Sequence, residues 1–219
     1  KPLPTTIAGS DKTICIGSPV SIGGSPTGPT GSTFIWSPAT GLSQTTIANP
    51  SASPATTTTY IVQVTDIFTC VNRDTVVVNV NPLPIVSAGS NLQLCINDTI
   101  AIGGTPTGPA GATYAWTPAA SLVNATVANP LAHPTVSTNY IVTVTDTNGC
   151  VNKDTMNVNV NPLPVLNAGA NRPICFSDST QLGGSPFALN SSFSWSPVAG
   201  LSSTSISQPM ASPATTTDY

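Results

Sequence analysis

Glutamate is absent from this 219-residue chain, and its eight acidic side chains are all aspartates. Only five residues are basic, Lys1, Lys12, Arg73, Lys153 and Arg172, and charged residues make up 6% of the chain, against roughly 25% in an ordinary soluble domain. Scattered singly, these bases form no stripe for nucleic acid. A net charge of −3 implies no strongly charged partner. The scarcity of Glu, Lys and Leu-rich periodic stretches removes the usual helix formers, so solubility falls to Thr, Ser, Asn and Gly. No apolar run nears the ~18 residues needed to span a bilayer, and membrane insertion is not expected. One histidine, His133, leaves little for catalysis.

What is present is repetition. Asn81-Pro82-Leu83-Pro84 returns as Asn161-Pro162-Leu163-Pro164, and Lys1-Pro2-Leu3-Pro4 is a variant. Cys15, Cys95 and Cys175 are each 80 residues apart; Trp36, Trp116 and Trp195, and Tyr60, Tyr140 and Tyr219, keep nearly the same interval. Such a period is too long for a solenoid unit of ~20–50 residues and long enough for each copy to own a core. The expected domains are 1–80, 81–160 and 161–219, the third truncated, with its last two strands missing. Because residue 1 already lies in an inter-repeat motif, no signal peptide is read there, and the chain is expected to be cut from something longer.

The cysteines fall into two positional classes: Cys15, Cys95 and Cys175 early in each copy, Cys70 and Cys150 late. Pairing within copies, Cys15 with Cys70 and Cys95 with Cys150, is the simplest expectation, with the partner of Cys175 outside the chain. Each bridge would close a loop of roughly 55 residues, contributing about 4 kcal/mol in the chain-entropy model. Buried free thiols and a metal site are the alternatives, although no second Cys or His lies at ligand spacing. Paired cysteines place the protein outside the cytosol.

Within each copy the period is two. Tyr60, Val62 and Val64 share one face, as do Tyr140, Val142 and Val144; Val76, Val78 and Val80 correspond to Met156, Val158 and Val160. Such alternation marks strands with one buried face. Asp66–Cys70 and Asp146–Cys150 read as hairpin loops. Phe34 with Trp36, and Val20 with Ile22, supply further inward pairs. Gly23-Gly24, Gly103-Gly104, Gly183-Gly184 and 22 prolines break helices and mark turns. About seven short strands per unit predict an all-β, immunoglobulin-like sandwich. The late Cys lies about ten residues past the Tyr, where an immunoglobulin Cys follows by roughly two. The bridge would therefore tie an end of the sandwich.

The string from Trp116-Thr117-Pro118 through Asn129-Pro130 and Thr138–Asp146 to Gly149-Cys150 and Asp154-Thr155 resembles the PKD-like and immunoglobulin-like tandem repeats of Bacteroidota cell-surface proteins. That family includes gliding-associated adhesins carried by the type IX secretion system. The resemblance covers essentially all 219 residues and implies a secreted, extracellular or cell-surface location. Proline linkers fix φ and extend their predecessors, so they read as short, semi-rigid joints in a rod.

Catalysis, a cofactor and a metal site are not expected. His133 occupies the slot held by Ser53 and Ser212, so it is no constant feature of the repeat. Asp66 and Asp74, or Asp146 and Asp154, are expected to form turns, with calcium at that hairpin as an alternative lacking an EF-hand pattern. Asp74-Thr75-Val76, Asp98-Thr99-Ile100, Asp154-Thr155-Met156 and Asp178-Ser179-Thr180 resemble the motif at which Bacteroidota attach O-glycans, making Thr75, Thr99, Thr155 and Ser179 candidate acceptors. The alternative is that Asp-Thr simply starts a strand. Asn97, Asn124 and Asn190 head Asn-x-Ser/Thr sequons that matter only in a eukaryote. Mostly inward aromatics argue against a sugar-binding platform.

The expected function is the shaft of a cell-surface adhesin or extracellular filament. The alternative is a spacer or carbohydrate-binding module attached to a secreted hydrolase, and strand exchange at the third copy's sheet edge is a further route to polymers. Expected partners are neighbouring repeats of the same polypeptide, then other copies in a filament, or surface glycans.

Overall fold

The computed structural model describes residues 1–185 and 191–219; the Asn190 sequon lies outside them. Among the described residues all regular structure is strand. The first repeat contains β1 (Lys12–Cys15), β2 (Val20–Ser21), β3 (Thr33–Ser37), β4 (Ser51–Ala52), β5 (Thr58–Thr65) and β6 (Val71–Asn81). The second repeats the series as β7 (Leu92–Cys95), β8 (Ile100–Ala101), β9 (Thr113–Thr117), β10 (Leu131–Ala132), β11 (Thr138–Thr145) and β12 (Val151–Asn161). The third contributes β13 (Thr180–Gln181) and β14 (Met210–Ala211).

Each complete repeat has a four-stranded sheet, ordered β1-β6-β5-β3 and β7-β12-β11-β9, and a two-stranded pair, β2-β4 and β8-β10. That makes six strands where about seven were expected. Further pairing is confined to the isolated bridge Leu42↔Ala52, like Leu122↔Ala132, flanked by Ser43 N–H to the Ser51 carbonyl and Ser53 N–H to the Gly41 carbonyl. The alternation places Tyr60, Val62, Val64, Val76 and Val78 inward, and these join Ile14, Ile22 and Trp36 in one core. Tyr140, Val142, Val144, Met156, Val158, Ile102 and Trp116 build a second, separate core. The trend follows from the pleat: one face of each long hairpin meets the short pair, the other meets water. This is an all-β, immunoglobulin-like sandwich, made twice.

Among the described residues the Ser32 hydroxyl is buried without a partner, whereas the buried indole and threonine groups of the core are satisfied. The indole N–H of Trp36 donates to the Ile47 carbonyl at 3.0 Å, and that of Trp116 to Val127 at 3.1 Å. Thr27, fully buried, donates its hydroxyl to the Gly24 and Ala48 carbonyls; Thr107 does the same to Gly104 and Ala128. The glycine pairs dock the segment that enters each repeat: Gly23 and Gly24 N–H donate to the Ala8 and Ile7 carbonyls, both at 2.8 Å.

By its internal packing the chain divides into two units, Lys1–Val160 and Asn161–Tyr219. The first holds both complete sandwiches. In the second, β13 and β14 form a two-stranded sheet, while the stretches matching β1 and β3 are not strands. In the complete repeats those two strands pair with β6 and β5.

Candidate functional site at the repeat junction

Strand polarity decides where each cysteine lies. β1 runs parallel to β6, with Lys12 beside Val78 and Cys15 beside Asn81. Cys15 therefore sits at the end from which the chain leaves the first repeat, and Ile16 N–H continues the pairing to the Asn81 carbonyl at 2.9 Å. Cys70 immediately precedes Val71, the first residue of β6. The ten residue steps along β6, at ~3.3 Å each, put Cys15 and Cys70 about 33 Å apart. A disulfide needs Cα atoms within ~7 Å.

The structure bonds Cys15 to Cys150, with Cα atoms 5.5 Å apart and 135 residues between them in sequence. Cys70 and Cys95 are free thiols, as is Cys175. This corrects the expected pairs Cys15–Cys70 and Cys95–Cys150. The early and late cysteines of one copy occupy opposite ends of its sandwich, so the bridge joins two copies. The expected within-copy bridge at one end of a sandwich is therefore replaced by a bridge from one sandwich to the next.

The second half of the junction is the β11–β12 hairpin. Asp146 accepts both the Asn148 and Cys150 N–H on one carboxylate oxygen, at 2.9 and 2.8 Å, and its own N–H reaches the Cys150 carbonyl at 3.0 Å. Gly149 completes the turn at φ +79°, a conformation that costs glycine nothing sterically. Two residues on, the Asn152 side-chain amide donates to the Pro84 carbonyl at 2.9 Å. Pro84 is buried. The linker Asn81–Pro84 is thus held at its start by β6 pairing and at its end by Asn152. Cys150 is fully buried.

The other sequence candidates are dispersed. His133 is exposed, and only its backbone is engaged, donating to Ser121; Ser53 and Ser212 make the matching bonds to Gly41 and Gly200. Asp66, like Asp146, shapes its hairpin by accepting the Phe68 and Cys70 N–H at 2.8 Å. Asp74 and Asp154 do something else: each reaches back 66 residues to accept a backbone N–H, from Ala8 and Ala88, at 2.8 Å. They lie inside β6 and β12, so Asp-Thr does not start these strands. Thr75, Thr99, Thr155 and Ser179 are all exposed. Among the described residues no three His, Cys, Asp or Glu side chains gather as a metal site.

A groove of about 460 Å³ runs along Val165, Leu166, Phe193, Trp195 and Tyr219. The matching Trp36 and Tyr60 form the first repeat's core beneath its long hairpin, so this groove is a core face of the fold.

Sequence reasoning missed the side chains that fix the junction: Asn72 and Asn152, which hold the Pro4 and Pro84 carbonyls, and the two Asp-to-Ala clamps. Their signal was recurrence at 80 residues beside each late cysteine.

No protein-family model matches this sequence, and no curated protein matches it. Among solved structures, the titin triple domain I67–I69 (an E-to-A mutated variant) has a TM-score of 0.41 at 11% identity, covering 95% of this chain and 86% of its own. DIP-gamma Ig1+Ig2 has a TM-score of 0.33 at 11% identity, covering 73% and 98%. Drosophila OTK extracellular domains 3–5 has a TM-score of 0.29 at 12% identity, covering 83% and 73%. This chain is similar to tandem immunoglobulin domains in those proteins, and its fold is assigned from its own sheets and cores.

Proposed function

We propose that this chain is a segment of the shaft of a long secreted, repetitive protein, either a cell-surface adhesin or an extracellular filament, with 1–80, 81–160 and 161–219 as successive modules. The observation that carries this reading is the Cys15–Cys150 bridge, which spends an oxidised cysteine pair on joining two modules. A recognition module gains little from such a joint, whereas a module under tension gains resistance to being drawn apart. The proline linker with its Asn152 clamp supports the same reading, because a held joint transmits bending where a Gly/Ser tether would not. A cystine also fits an oxidising compartment, and the described residues include no helix long and apolar enough to cross a membrane.

The resemblance to Bacteroidota surface repeats supports a type IX-secreted, cell-surface source. On that source Thr75, Thr99 and Thr155, with Ser179 as the weakest, are candidate O-glycan acceptors; intact mass of native material reads each directly. Electron microscopy of native protein tests the shaft. Slender rods or fibres with a regular axial repeat are expected. Globular particles, or a polypeptide dominated by a catalytic domain, would replace this reading with the hydrolase-spacer one.

A further inference from the structure

The late cysteine of the first repeat is presented in the same way as the one that is bonded. Cys70 N–H donates to Asp66 at 2.8 Å, as Cys150 N–H donates to Asp146 at 2.8 Å. Both hairpins are closed by a 3.0 Å bond from the Asp N–H to the Cys carbonyl. Both turns pass through positive φ just before the cysteine, at Thr69 (+66°) and Gly149 (+79°). Asn72 holds Pro4 as Asn152 holds Pro84, each at 2.9 Å. The early cysteines match too: the turn after each returns an N–H to its carbonyl, Ser18 to Cys15, Asp98 to Cys95 and Asp178 to Cys175.

Two features separate Cys70 from Cys150. Its thiol is free and partly accessible, where Cys150 is buried. Beside it, Ile67 and Phe68 stand 68% and 57% exposed, in the positions of Thr147 and Asn148. The Lys1 ammonium lies 3.6 Å from the centroid of the Phe68 ring, so the segment that enters the first repeat runs over this hairpin tip, beside the free thiol.

We propose that Cys70 is the late half of a second repeat-to-repeat bridge, and that it bonds the early cysteine of a repeat joined ahead of Lys1 in the same polypeptide. The rule is general: each early cysteine takes the late cysteine of the following repeat. Bond formation removes one hydrogen from each of two thiols. The two electrons and two protons pass to a disulfide-bearing thiol oxidant, which leaves as a dithiol. Because 135 residues exceed the 80-residue period, successive bridges overlap, and no complete repeat lies outside a bridged loop. The inference rests on the geometry of the Cys15–Cys150 junction and does not require the shaft reading.

The test adds a second copy of residues 81–160 ahead of Lys1 in the full 219-residue chain and maps peptides without reduction. The expected result is a link from the early cysteine of the added copy to Cys70, with Cys15–Cys150 retained. Cys70→Ser in the same extended chain should free the added thiol for alkylation and leave Cys15–Cys150 intact, which separates lost pairing from lost folding. Cys70 still fully alkylatable in the folded extended chain overturns the proposal, as does Cys70 bonded to Cys15. So does a disulfide between two separate chains through Cys70.

Discussion

Cys15 and Cys150 are brought to 5.5 Å between Cα atoms by the parallel pairing of β1 with β6. That pairing carries Cys15 to the exit of its own sandwich, where the hairpin of the next sandwich arrives. An antiparallel β1 would have turned the same residue towards the Cys70 end.

Removing this bridge should cost stability, while removing the unbonded late cysteine should not. Closing a 135-residue loop contributes about 5 kcal/mol in the chain-entropy model. Cys15→Ser and Cys150→Ser are each expected to lose much of that in denaturant unfolding. Cys70→Ser should lie within about 0.5 kcal/mol of the parent, as surface changes do. Within-copy bridges would make all three costly.

Under load the bridge hides chain. Stretching the protein by its ends in single-molecule force measurements should leave the residues between Cys15 and Cys150 locked while oxidised. A reductant should release roughly 450 Å of further extension, from 135 residues at ~3.3–3.6 Å each. Equal extension with and without reductant would exclude the bridge.

Asn152 ties the linker to the second sandwich through the Pro84 carbonyl. Asn152→Ala leaves that carbonyl without this partner and should lower stability by about 1 kcal/mol. Hydrogen exchange should then rise at the linker amides, chiefly Leu83 and Ile85, and stay unchanged in the β11–β12 core. Uniformly faster exchange would assign Asn152 to the core instead.

The faces of the long strands were legible in the sequence because a period of two is a local property; Tyr60, Val62, Val64 and Val76 are all buried as their alternation implied. The hairpin at Asp66–Cys70 was legible for the same reason. The cystine partner was not. Pairing depends on which ends of which strands coincide, and that follows from a parallel contact between residues about 66 apart, such as Lys12 and Val78. Spacing identified two classes of cysteine, and only the register of β1 on β6 shows that they sit at opposite ends. The Asp74 and Asp154 clamps were hidden likewise, since Asp in a strand looks like a turn signal until its distant backbone partner is known.

Gly103 tests the docking of the segment that enters the second repeat. Its φ is +112°, and an added Cβ would stand 2.7 Å from the Ala128 carbonyl oxygen and against the Asn129 amide. Gly103→Ala should lose about 1–3 kcal/mol, the usual cost of a side chain in such backbone, read as a lowered thermal midpoint. An unchanged midpoint would show that the segment docks by other means.

Alkaline pH should act through Tyr60, whose hydroxyl is raised above its ordinary value by desolvation while it donates to the Thr40 carbonyl at 2.8 Å. An unfolded tyrosine ionises near 10, and the folded one keeps its proton to higher pH. Its contribution is therefore complete below pH ~10 and lost as pH rises through the folded value. Unfolding titrations should show Tyr60→Phe with a shallower alkaline decline than the parent; identical declines would place the sensitivity elsewhere.

Trypsin offers the most direct test of covalent joining between repeats. Cleavage after Lys12, Arg73 and Lys153 puts Cys15 and Cys70 together in the peptide Thr13–Arg73, and Cys95 with Cys150 in Asp74–Lys153. Without reduction, the bridge between Cys15 and Cys150 predicts a single species with the summed mass of both peptides less two hydrogens, and it should split on reduction. Two unlinked peptides, each two hydrogens lighter than its dithiol form, would contradict it.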